Sequence, residues 1–191
     1  MSQFRKILIL VLIAICSASI LVPASSSAQT QPVFTSLYTD LKTECKGAFK
    51  DVGEGQDMPL LCKGYGGYKV YIYYSAFAAQ IDVIRPTKSE LVNDPISLAM
   101  QELDYDQEGR KIEWRLANGK PFAVILRVSN YKEDAEAEGG NPLQPKYKTG
   151  ESLLVKGLKG YDHIDFTVDT KTTPNPNAKA RELADSNYNK K

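Results

Sequence analysis

From Tyr68 onward, apolar and polar residues alternate over short runs separated by turn formers, the two-residue period of strands with one buried and one wet face. The sharpest case pairs residues 111–116 (KIEWRL) with residues 121–128 (PFAVILRV) across Asn118 and Gly119. Asn-Gly supplies the two positive-φ positions of a type I′ turn, so these runs predict a hairpin. A two-residue loop sets Trp114 opposite Ala123 and Ile112 opposite Ile125, leaving Val124 and Leu126 on the other face. The second strand is then apolar on both sides and is expected in the middle of a sheet.

Two more strand pairs follow from the same pattern. Residues 151–156 (ESLLVK) and 162–168 (DHIDFTV) flank a Gly-Leu-Lys-Gly turn, and His163, Asp165 and Thr167 alternate with Ile164, Phe166 and Val168. Residues 68–74 (YKVYIYY) and 79–84 (AQIDVI) form the other pair around residues 75–78. On the first of these runs Tyr68, Val70, Ile72 and Tyr74 share the expected core face, while Lys69, Tyr71, Tyr73 and Ser75 share the opposite one.

Helical signals are few. Asp94 before Pro95 is a helix start, and Ile96, Ala99, Met100 and Leu103 recur at helical spacing, so residues 95–103 predict a short helix. Asn175 and Pro176 repeat the signal before residues 178–186, whose apolar face is thin and whose NYNKK end is expected to fray. Phe34, Leu37, Tyr38 and Leu41 fit a helix or a first edge strand equally well. Residues 132–142 (KEDAEAEGGNP) are acidic and glycine-bearing and read as a loop. The sum is an α+β fold, mainly antiparallel β: a sandwich or partly open barrel of about six strands with a short helix and a C-terminal helix.

The amino terminus changes the picture of where the chain works. Arg5 and Lys6, an apolar run from Ile7 to Val22, then Pro23 and small residues to Ala28 form the three-part layout of a secretory signal. The apolar run is shorter than the about 20 residues of a membrane span. The expected organisation is a signal peptide over 1–28, one β-rich domain over 29–173, and a C-terminal helix and tail over 174–191. Loss of Arg5 and Lys6 with the signal takes the formal charge from +1 to −1, so neither nucleic acid nor an acidic membrane is an expected partner. Cys16 leaves too, and Cys45 and Cys62 remain alone in an exported chain, where they are expected to pair. Closing that loop stabilises the fold by about 3 kcal/mol in the chain-entropy model.

Candidate chemistry is thin. Residues 104–109 (DYDQEG) open like a calcium loop, but its twelfth position, where a bidentate acid belongs, is Arg115. His163 is the only imidazole, no G-x-S-x-G elbow accompanies it, and two cysteines with one distant histidine make no zinc set, so neither a metal nor a cofactor is expected. Gly64, Gly66 and Gly67 lack the spacing and the following helix of a phosphate cradle and read instead as a turn into the strand at Tyr68. Lys69, Tyr71 and Tyr73 are the candidate binding surface, because rigid amphipathic rings beside a lysine suit a glycan or a protein interface.

Residues 62–68 (CKGYGGY), Glu113-Trp114-Arg115 and Gly119-Lys120-Pro121 carry a resemblance. From Glu44 to Val128 the chain resembles small exported bacterial proteins of no established function that share a C-x-G-x-x-G-Y stretch and a later E-W-R…G-K-P hairpin. The resemblance implies bacterial export and supplies no catalytic residue. An additional cysteine near the C-terminus, frequent in that group, is absent here. The expected function is therefore a secreted or periplasmic, non-catalytic binding protein whose partner is an envelope or extracellular protein, a peptide or a glycan. The alternatives are a hydrolase acting on envelope polymers through a carboxylate pair, and a structural or assembly-assisting envelope protein.

Overall fold

The computed structural model describes residues 31–47, 59–74, 79–86, 95–101, 110–132 and 144–190. Ten strands among these residues form two antiparallel sheets. The first, sheet A, holds β1 (Phe34–Asp40), β7 (Lys111–Ala117), β8 (Lys120–Tyr131), β9 (Lys148–Gly157) and β10 (Asp165–Asp169) in that spatial order. The second, sheet B, runs β2 (Cys45–Gly47), β3 (Leu60–Cys62), β4 (Lys69–Tyr74), β5 (Ala79–Ile84) and β6 (Ile96–Gln101). One helix, α1 (Pro176–Asn187), belongs to the same compact unit, Pro32–Lys191. Among the described residues, each sheet ends in two edge strands paired on one side only, so the architecture is an open sandwich and not a closed barrel.

Two cores explain the layering. Between the sheets, Val70, Ile72, Ile81, Val83 and Leu98 of sheet B meet Ile112, Trp114, Leu116, Val124, Leu126 and Val128 of sheet A. On the other side of sheet A, Phe122, Ala123, Ile125, Leu153 and Val155 pack with Ala180 and Ala184 of α1. Strand β8 feeds both cores and sits in the centre of its sheet, as its two apolar faces require. Asn118 and Gly119 take φ of 49° and 79°, the left-handed geometry expected of the turn.

The register of that hairpin differs from the two-residue-loop expectation. A bulge between Arg115 and Leu116 leaves Phe122 as the extra residue, so Trp114 pairs with Val124 and Ile112 with Leu126. Val124 and Leu126 therefore lie on the Trp114 side, inside the sandwich, and Ala123 and Ile125 turn toward the helix.

The strand count is corrected from about six to ten. Strand β1 resolves the ambiguity at Phe34, and β2 and β3 are only three residues each, too short for a periodic signal. The helix expected over 95–103 is instead strand β6, paired with β5 through a bulge between Ile81 and Asp82. A free sheet edge outweighs a helix-start signal with four weakly spaced apolar residues. The tail also departs from expectation: Tyr188 packs against Phe34, Phe122 and Tyr161, with ring centroids 5.6, 4.9 and 5.3 Å away, which anchors the end of α1. The Tyr161 hydroxyl, hydrogen-bonded to Tyr188 and partly buried, is pushed up to about 12. The expected signal peptide at 1–28, the calcium-like stretch at 104–109 and nearly all of the acidic loop lie outside the described residues.

Candidate functional site

The two stretches that carry the resemblance meet around Trp114. Its indole is fully buried, donates to Thr39 Oγ1 at 2.9 Å, and is touched edge-on by Tyr65 and at a tilt by Tyr68. Gly66 has φ of 61°, and a Cβ there would lie 2.5 Å from Cγ of Pro121, so this turn accepts only glycine beside that proline. Cys62 and Cys45 sit opposite each other on β3 and β2 and are joined as a disulfide, so neither thiol is free for a metal or a substrate.

Glu113 and Arg115, the polar flanks of Trp114, face the helix. Arg115 binds Asp185 of α1 through Nε and Nη2, and donates from Nη1 to the Ser36 hydroxyl, which in turn donates to Glu113. Arg181, one turn earlier on α1, grips Glu113 through Nε at 2.6 Å and Nη2 at 3.0 Å. Glu113 raises the affinity of the Arg181 guanidinium for its proton above the ordinary arginine value. The cluster fixes α1 on sheet A with each buried charge paired.

The sequence-predicted surface lies on the outer face of sheet B. Tyr71 is half-buried and Tyr73 is 39 % exposed; their rings are stacked 6.2 Å apart at 20°. Lys69 is exposed two residues before Tyr71. Across the ladder, Tyr71 pairs with Asp82 and Tyr73 with Gln80, and Gln80 Nε2 donates to both oxygens of the buried Asp82 carboxylate at 3.0 and 3.1 Å. Partial burial, the Asp82 charge and Tyr71 all push the Tyr73 hydroxyl above the usual phenol range, so it stays a neutral donor. The face thus presents two phenols, an amide and an ammonium, while the Asp82 carboxylate is buried.

A second candidate site has no local signature in the sequence. Between α1 and the outer face of sheet A lies a groove of about 420 Å³, walled by Tyr38, Arg127, Lys148, Glu151 and Arg181 over Ile125 and Leu153. These residues come from β1, β8, β9 and α1 and have no shared sequence signal. Both carboxylates in the groove are locked: Glu113 by Arg181, and Glu151 by Lys148 at 2.8 Å and Arg127 at 3.1 Å. The bond from Lys148, opposed by partial burial and reinforced by Arg127, holds Glu151 below the usual carboxylate range. Glu151, so held, is not the proton-retaining acid that a glycosidase pair needs.

His163 is exposed, but it lies in the turn before β10 and not on the strand expected over 162–168, with Nε2 2.9 Å from the Asn187 carbonyl oxygen. No helix among the described residues is long and apolar enough to cross a membrane. Comparison with protein-family models, with characterised proteins and with solved structures finds no match.

Proposed function

We propose that this chain is an exported, non-catalytic binding protein of the bacterial envelope or exterior, and that it takes a protein, a peptide or a glycan on the outer face of sheet B. The observation that carries this reading is the stacked pair Tyr71 and Tyr73, with Lys69 beside it and Asp82 and Gln80 across the ladder. Tyrosine rings offer large contact area at low entropic cost, and their hydroxyls suit a polar partner. Secretion or periplasmic residence is supported by the Cys45–Cys62 disulfide, which persists in oxidising compartments, and by the signal-like layout of the amino terminus.

The test is in-cell crosslinking in a bacterial host, with identification of captured partners for the natural chain, Tyr71→Ala and Tyr73→Ala. The expected result is loss of a specific partner with an unchanged melting temperature. Unchanged capture by both variants contradicts the reading. So does turnover of peptidoglycan fragments by the purified protein, if replacing one acidic residue abolishes it.

A further inference from the structure

We propose that the groove between α1 and sheet A binds a small organic oxyanion, a carboxylate or a phosphate carried on a compact body. Its lining holds five basic side chains and two acidic ones, in a chain whose whole formal charge is only +1. Asp40 lies 3.9 Å from Lys111 at the margin, and Glu113 holds Arg181, which leaves the surplus positive charge on Arg127 and Lys148.

The centre of that surplus is Glu151. One carboxylate there serves two cations, Lys148 and Arg127, so the triad carries a net positive charge. Both cationic side chains are within reach of solvent, at 36 % and 39 % exposure. Arg127 is also aimed by Asn177 Oδ1 on the first turn of α1, a turn that contains no acidic residue to neutralise the positive end of the helix. An incoming oxyanion would be shared by Arg127 and Lys148 beside Glu151, which already occupies the position of such a ligand. Ile125 and Leu153 at the floor and the Tyr38 ring at the wall suit the apolar faces of its body, and the volume is that of a small-molecule site. The groove lies on sheet A and the tyrosine face on sheet B, so either site can stand without the other.

Calorimetric titration of the full chain at low salt, with glucuronate, glucose 1-phosphate and neutral glucose as probes, tests this. One or both anions are expected to bind and glucose is not; which anion binds distinguishes a carboxylate from a phosphate ligand. Arg127→Gln combined with Lys148→Gln is expected to weaken binding by about tenfold or more. Glu151→Gln removes the competing carboxylate and is expected to tighten binding about threefold, an effect a purely structural role for the triad would not produce. Absence of binding by either anion at millimolar concentration, equal binding of glucose, or weaker binding by Glu151→Gln overturns the assignment.

Discussion

Sheet A and sheet B have the same strand number and pairing direction, yet they are held by different means. Sheet A is buried on both faces, by the sandwich core on one side and α1 on the other, with the Glu113, Arg115, Arg181 and Asp185 charges pinning the helix. Sheet B contributes one face to the core, carries the disulfide at its β2–β3 edge, and turns Lys69, Tyr71 and Tyr73 outward. The contrast shows how one domain separates rigidity from display: the layer that is packed twice anchors the fold, and the layer stapled at its edge is free to offer an outer face.

The largest expected effect comes from the residue that joins the two sheets. Trp114→Ala removes a fully buried ring, its bond to Thr39 and its contacts with Tyr65 and Tyr68. Urea unfolding should show a loss of about 4 kcal/mol. Next is the staple. Cys45→Ser with Cys62→Ser should cost about 3 kcal/mol, and hydrogen exchange should quicken in β2 and β3 while β7 and β8 stay protected. On sheet A, Asp185→Ala leaves the Arg115 guanidinium, only 7 % exposed, without its main partner. Because Asp185 itself is 23 % exposed, the expected cost is about 2 kcal/mol, below that of a fully buried pair. Arg115→Met with Asp185→Leu should recover part of it in the same measurement.

The smallest effect is at Glu151. Its carboxyl is held below the usual value of 4.5 in the folded chain, so the stabilisation is present above that value and is lost as pH falls through the folded value. Glu151→Gln should therefore melt slightly below the natural chain at neutral pH, by less than about 1 kcal/mol. The two melting temperatures should converge in acid.

Much of this architecture was legible in the residues. The Asn118-Gly119 turn, the two-faced β8 and the inward side of β4 follow from turn chemistry and periodicity, and the pairing of Cys45 with Cys62 from the cysteine count of an exported chain. The bulge that shifts Trp114 onto Val124 has no local signature, since Phe122 is as good a strand residue as its neighbours. Strand β6 was hidden because the start signal at Pro95 is local and its pairing with β5 is not. Of the candidate sites, the tyrosine face was readable from one strand. The groove was not, because Arg127, Lys148 and Arg181 are brought together only by the order of the strands and the docking of α1.

Adjacent residues of β4 test the division between the faces most directly. Ile72 is 1 % exposed within the sandwich core, and Tyr73 is 39 % exposed on the other side. In urea unfolding, Ile72→Ala should cost about 2–4 kcal/mol, and Tyr73→Ala less than about 1 kcal/mol. A loss for Tyr73→Ala as large as that for Ile72→Ala would mean that the outer face of sheet B is itself a core, and would contradict the proposed binding surface.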